Sequence, residues 1–324
     1  MKKSSKAWLL IAIVMMVVGV GFASIGTAMG GRWGMIFDLE NFKITTGSKN
    51  MISDKVSVDS SFKKIDINTS TVDVNIKKGT ENSVEYRVPE YMKPEITTVG
   101  NTLSIITSKK NTFVLFDFNF GKTEDSYINI TLTEDMYEKA MEIAYKTSTG
   151  DLTVEGININ GVLETSTGDI KLTNVISDEI RIDGSTSDVT ITNCTINGSL
   201  STSLSTGEVV MKDTVVTEKY EAESSTGDIK ITNSEITWFN MDGSTSDLTV
   251  KSSEMDRVEV TTSTGDIELE IKGNEQDYGI KLHTSTGDMD VCGREIDAKS
   301  YEGPAGTKQI NIETSTGDIT ININ

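Results

Sequence analysis

The stretch Thr147-Ser148-Thr149-Gly150-Asp151-Leu152-Thr153-Val154 opens a phrase that returns as Thr165-Ser166-Thr167-Gly168-Asp169-Ile170-Lys171-Leu172 and continues to the C-terminus. Its acidic residue stands at 151, 169, 188, 208, 228, 247, 266, 288 and 318, so the first six intervals are 18 to 20 residues and the last two are 22 and 30. A near-constant period of this length is the mark of a solenoid. One and three places after the acid stand apolar pairs such as Ile170/Leu172, Ile229/Ile231 and Ile319/Ile321. Eight and six places before it stand Ile180/Ile182, Phe239/Met241 and Ile310/Ile312. Both sets alternate with period two, so each repeat holds two short strands with one inward face. The Ser-Thr-Gly corner joins them, and a second corner such as Thr173-Asn174 closes the turn. The expected fold is all-β: a parallel β-solenoid of 19–20-residue coils over 147–324, stacked about 4.8 Å apart.

Working outward, residues 58–146 are β-patterned without a clean repeat. Ile65/Ile67 and Val72/Val74/Ile76 alternate, Thr69–Asp73 reads as a degenerate corner, and Phe113–Phe120 is an aromatic patch. These read as irregular first coils that cap the solenoid, since an open end would leave free strand edges. Glu134–Ile143 reads as one helical turn or a loop, and 32–57 as a linker. Composition agrees: 27 Gly, 3 Pro and 6% aromatics suit a turn-rich β fold rather than a helical bundle. A net charge of −19 argues against a nucleic-acid partner.

The N-terminus carries Lys2, Lys3 and Lys6 and then no charge from Ala7 to Gly31. That run is long enough for a helix to span a bilayer core of about 30 Å. Basic residues before it predict residues 1–6 in the cytoplasm, a single transmembrane helix over 7–31, and everything beyond outside the cell. The rival reading is a cleaved signal with Gly26-Thr27-Ala28 at its cleavage site. Both place the bulk of the chain outside the cytoplasm.

The basic start, the uncharged run, the strand pair at Ile65-Asp66-Ile67 and Val72-Asp73-Val74, the Gly-Asn-Thr-Leu-Ser-Ile hairpin at 100–105 and the serial Ser-Thr-Gly-Asp coils together resemble one bacterial family. It is the "putative adhesin" family of β-strand-repeat proteins, a domain of unknown function, and the resemblance covers roughly residues 60–324. It implies the fold and brings no catalytic residues or cofactor with it.

The sharpest candidate is the acidic column. Asp151, Asp169, Asp188, Asp228, Asp247, Asp266 and Asp288 precede an inward residue, so stacking brings like charges close enough to repel unless cations or donors intervene. A row of weak Ca²⁺ sites competes with plain turn chemistry, and the turn chemistry is favoured because the Gly-Gly-x-Gly-x-Asp pattern of calcium repeats is absent. Trp238 falls in an outward slot shared with Lys219 and Arg257, where an indole can stack on a sugar ring or a partner side chain. Regular Thr-x-Thr rows invite an ice-binding reading, which the Ser residues at 185, 187, 244 and 246 weaken. The single histidine, His283, is expected to face solvent, so no imidazole-based catalysis and no enzyme is expected. Polysaccharide cleavage is set aside because the loops are short. Cys194 and Cys292, five coils apart and in different slots, are expected as free thiols. Ser187 and Ser246 share the slot of Gly227, which predicts a permissive corner and a nearly neutral Gly227→Ser.

The expected function is a membrane-anchored, non-enzymatic surface module, adhesin-like or scaffolding. Its expected partners are the membrane through the N-terminal helix, and envelope polymers or membrane proteins. The alternative is an accessory or sensory protein in envelope-stress signalling.

Overall fold

The computed structural model describes residues 33–38, 43–46, 51–107, 112–118 and 126–324. The tail at 1–6 and the run 7–31 expected as an anchor lie outside the described residues. Among the described residues no helix is long and apolar enough to cross a membrane.

Two compact units divide the chain. The smaller contains a three-stranded antiparallel sheet of Lys43–Thr46, Trp33–Asp38 and Thr112–Phe118, with Trp33–Asp38 in the centre. The stretch 32–57, read from sequence as a linker, therefore contains strands, among them Met51–Ser57.

The larger unit is the solenoid. Each coil supplies one long strand ending in the Ser-Thr corner (Met141–Thr149, Ile159–Thr167, Ile176–Thr186) and one short strand after the acid (Leu152–Glu155, Ile170–Thr173, Val189–Thr192). Long strands pair in parallel with long strands and short with short, giving two ladders. Period-two alternation puts Val74, Leu152, Ile170, Val189, Val209 and Ile229 in one inward column, in register and all at most 2% exposed. The degenerate corner at Thr69–Asp73 belongs to a regular coil: Lys64–Asn68 and Asp73–Lys78 pair directly with the strands of the Asp151 coil. Glu134–Tyr137 is one helical turn.

The second corner turns on a left-handed residue. Asn174, Asn193, Asp213, Asn233, Ser252 and Cys292 all have φ between 49° and 54°. Asn and Asp tolerate that conformation best among residues with a Cβ. Cys292, which counting from the acid places in an outward strand slot, occupies the corner instead, because its short strand ends a residue early at Val291.

The order of the coils departs from the order of the chain. The C-terminal coil, Lys308–Thr316 and Ile319–Ile323, lies between the Asp266 coil and the Asp288 coil. The chain skips a rung at 273–277, builds the outermost coil, and returns to fill the gap with its last residues. Intervals of 22 and 30 residues, longer than adjacent coils need, are the trace of this detour in the sequence. Antiparallel strands close the outer coil at Arg294–Glu295 and Ser300–Glu302. At the other end Thr102–Ile106 and Tyr127–Leu132 form the outer coil, closed by antiparallel Glu95–Val99 and Ser83–Pro89. Both ends thus exchange a parallel ladder for an antiparallel strand, which blunts the edge that a further coil would use.

Core volume is matched between neighbours. Tyr220 and Phe239 stack in adjacent coils with ring centroids 5.2 Å apart, and small Ala222 and Thr202 flank Tyr220. The Tyr220 hydroxyl meets Thr202 Oγ1 at 3.1 Å, and Tyr145 donates to the Gly150 carbonyl at 3.1 Å. Burial pushes both phenols well above the ordinary tyrosine value. A phenol whose folded pKa is raised stabilises the fold fully below its unfolded value near 10, and that contribution is lost as pH climbs beyond it. In an alkaline titration followed by tyrosinate absorbance, these two should ionise only together with unfolding, after the exposed tyrosines.

Candidate functional site

The acidic column is a hydrogen-bonded ladder. Aspartates of the column accept the backbone N–H of the acid one coil on: Asp151 Oδ1 from Asp169 at 2.8 Å, Asp188 Oδ1 from Glu208 at 2.8 Å and Asp247 Oδ1 from Asp266 at 2.8 Å, while the longer Glu208 pairs with Lys230 instead. Asp228 accepts more weakly from Asp247, at 3.4 Å, and Asp169 from Asp188 at 3.1 Å. The ladder starts one coil earlier than the repeat suggested, with Asp73 accepting from Asp151 at 3.0 Å. It follows the inserted coil, running Asp266 to Asp318 to Asp288. The carboxylates therefore satisfy exposed corner N–H groups, a reason for acids here that needs no ion. Among the described residues, no group of three or more His, Cys, Asp or Glu gathers as a metal cage.

Removing the charge and removing the acceptor should separate cleanly. Two carboxylates about 5 Å apart in water repel by roughly 1 kcal/mol before salt screening. Asp247→Asn, which keeps an acceptor, should melt at or above the parent temperature. Asp247→Ala should cost about 1 kcal/mol. Melts with and without Ca²⁺ complete the test: a calcium-dependent rise that Asp247→Asn abolishes would restore the ion-site reading.

Beside the ladder run two uniform hydroxyl rows. The middle serine of the corner (Ser148, Ser166, Ser185, Ser205, Ser225, Ser244) and the threonine after it (Thr149, Thr167, Thr186, Thr206, Thr226, Thr245) are exposed in every coil. Ser185 and Ser244 thus belong to an unbroken serine row and replace no threonine. The substitution lies elsewhere. Where the corner slot is serine, at 187 and 246, the residue three before it is glycine, Gly184 and Gly243. In the remaining regular coils the corner slot is glycine and the earlier residue is Thr, Leu or Ser, buried. Ser187 fills that inward space: a Cβ on Gly184 would stand 3.0 Å from Ser187 Oγ. The paired exchange is visible in the repeat itself.

Gly227 is accordingly not permissive. Its φ is 141°, and a Cβ there would lie 1.8 Å from the carbonyl oxygen of Gly207 in the coil below. The expected neutrality of Gly227→Ser is corrected on that ground.

A shallow groove of about 470 Å³ crosses the outer face of the long-strand ladder. Lys146, Glu164, Asp183, Ser203, Glu223 and Asp242 form one bank and the serine row the other. Lys146 pairs with Glu164 at 2.6 Å, Arg181 with Asp183 at 2.8 Å, and Ser203 donates to Glu223 at 2.9 Å.

Trp238 sits in the outward slot expected of it, half-buried. Both ring faces are taken. Lys219 Nζ lies 4.5 Å from the ring centroid on one side and Arg257 Cζ 4.5 Å on the other, each from an adjacent coil. A cation on each face is a favourable use of an aromatic ring, and it leaves no free face for a sugar. Its indole N–H is buried without a hydrogen-bond partner.

His283 is half-exposed, with Nδ1 2.8 Å from Ser300 Oγ on the closing hairpin. Both cysteines are free. Burial raises the Cys194 and Cys292 thiols above their ordinary value, so neither is a thiolate nucleophile at neutral pH. The inserted coil adds one more rung between them.

The fold and these surfaces define a class: a capped parallel β-solenoid with uniform hydroxyl and acidic rows. Residues 62–322 match the family described as Toastrack DUF4097, and the chain belongs to that family. Among solved structures it is similar to a "putative adhesin" from Bacteroides fragilis, at 18% identity over 85% of this chain and 98% of that one, with a TM-score of 0.36. It is also similar to a "putative adhesin" from Parabacteroides distasonis, at 15% identity over 86% and 98%, with a TM-score of 0.39. A "putative lipid binding protein" from the same organism shares 15% identity over 86% and 98%, with a TM-score of 0.37. No curated protein matches the chain.

Proposed function

We propose that the protein is a membrane-tethered, extracytoplasmic interaction module, non-enzymatic, which engages an extended envelope polymer along its outer face. The observation that carries this reading is the groove that crosses coil after coil, with Glu164, Asp183, Glu223 and Asp242 on one bank beside Lys146 and Ser203, and serine hydroxyls on the other. Such a surface offers repeated weak hydrogen-bonding sites at the coil spacing, which suits a repeating polyhydroxylated ligand and multiplies weak contacts. The uncharged run at 7–31, preceded by three lysines, supports the tether.

The test is retention of the full chain, in detergent, on immobilised envelope polymers. The chain should be retained, and the combined variant Glu164→Gln, Asp183→Asn, Glu223→Gln, Asp242→Asn should elute early. No retention on any envelope polymer removes this reading. Capture instead of a membrane protein, lost when 7–31 is replaced by an unrelated apolar helix, would favour the stress-signalling role.

A further inference from the structure

The strands that stand outermost in the solenoid's ladders are built differently at its two ends. Arg294–Glu295 and Ser300–Glu302, at one end, are two and three residues long and carry charges. At the other end Met51–Ser57 holds Asp54 and Lys55 near its middle. Glu95–Val99 is the exception. Its one charge is at its first residue, and Ile96, Thr97, Thr98 and Val99 are all β-branched. It runs beside Thr102–Ile106 without a bulge, its two threonines are exposed, and Val99 is 74% exposed. Very short strands, central charges and bulges keep an edge from pairing, and this edge has none of them.

The register shows which backbone groups this edge offers. Lys64 N–H bonds the Asn101 carbonyl at 3.1 Å and Thr107 N–H bonds the Asn68 carbonyl at 2.9 Å, so odd-numbered residues of 101–107 bond toward Lys64–Asn68. Thr102, Ser104 and Ile106 therefore bond the other way, to Val99, Thr97 and Glu95 opposite them. That directs the N–H and C=O of Ile96 and Thr98 away from the ladder. Among the described residues, no strand is registered with Glu95–Val99 on that side.

We infer that Glu95–Val99 is a homotypic contact, which pairs antiparallel with the same strand of a second copy of this chain about a two-fold axis through Thr97. In that register Ile96 faces the partner's Thr98 and Thr98 faces the partner's Ile96. All four outward groups of each strand are then used, in four hydrogen bonds, and the two long-strand ladders join into one. The occupant is a second copy because the edge is complementary to itself, as an isologous contact requires. Glu95 falls opposite the partner's Val99, whereas a parallel arrangement would set it beside the partner's Glu95. Charge permits approach at this end alone. Residues 51–107 hold 7 basic and 8 acidic residues, a net −1, against 14 and 36, a net −22, over 126–324. Side-by-side contact of two solenoids would bring the strongly acidic parts together.

The test is disulfide trapping of the purified full chain in detergent, where no other protein can occupy the edge. The background is Cys292→Ser, since Ser252 already fills the equivalent left-handed corner, and Cys194 is only 2% exposed. A two-fold at Thr97 puts its Cα about 4.5 Å from the partner's, within disulfide reach. The two Val99 Cα atoms would lie roughly 14 Å apart along the strands, out of reach. Under air with a copper catalyst, Thr97→Cys should form cross-linked dimer at least tenfold faster than Val99→Cys. Adding Ile96→Pro removes an N–H that the chain's own ladder does not use, so it should cut that cross-linking about tenfold with little change in the melting temperature. Thr98→Pro tests the same edge if Ile96→Pro melts low. No dimer from Thr97→Cys, or equal rates at 97 and 99, overturns the contact, as does cross-linking that persists in a folded proline variant.

Discussion

Deleting residues 308–324 should unravel the C-terminal end of the solenoid back to the Asp266 coil, although it removes only the last residues of the chain. Ile310, Ile312, Ile319 and Ile321 are at most 3% exposed and form an interior rung, with ladders on both sides. Burying four isoleucines is worth about 6 to 12 kcal/mol before the cost of ordering the chain is subtracted. The loss falls on a neighbour as well, because the coil at 278–291 and its closing strands reach the rest of the solenoid's ladders only through this rung. In hydrogen exchange, amides of 278–291 should lose protection while those of 159–232 keep theirs, as nearest-neighbour stability in a solenoid requires. Protection retained across 278–291 would mean that this coil restacks directly on the Asp266 coil, and that the insertion is dispensable.

Gly227→Val should be among the most damaging single substitutions in the solenoid, at about 3 kcal/mol or more, because left-handed strain and overpacking act together. The strain comes from a φ of 141°, and the clash from the Gly207 carbonyl 1.8 Å from the new Cβ. Gly227→Ser alone should cost about 2 kcal/mol, since the serine must turn inward, where Ser224 is already buried. Adding Ser224→Gly recreates the Gly-x-x-Ser arrangement of residues 184–187 and 243–246 and should recover most of the loss. Thermal melts of the four-member cycle measure the coupling, and additive effects would show that the two slots do not share one space.

Much of this molecule is written locally. The alternation of Ile170/Leu172 and Ile180/Ile182 dictates which side chains face inward, and the Asn at the second corner marks the left-handed turn. The acidic column was legible as a column, yet its partners were not, because an Asp that bonds the next coil's N–H looks the same in sequence as one that faces water. The Gly184/Ser187 exchange was present in the repeat but acquires meaning only once both residues are known to point at one cavity. Trp238 shows the limit most plainly. Its outward slot followed from register, but the cations that cover both its faces come from the coils on either side.

The repeat itself dictated strands, corners, inward columns and the coil period, because each depends on backbone geometry within some 20 residues. Tertiary structure decided the order of the rungs and the meeting of 33–38 with 112–118. Thr284–Met289 and Thr314–Ile319 present nearly the same Thr-Ser-Thr-Gly-Asp edge to the Asp266 coil. Local pairing cannot choose between them. The closing hairpin at 294–302 pairs only with the outer coil, and connection length and end closure act over the whole C-terminal region, so the choice is made there.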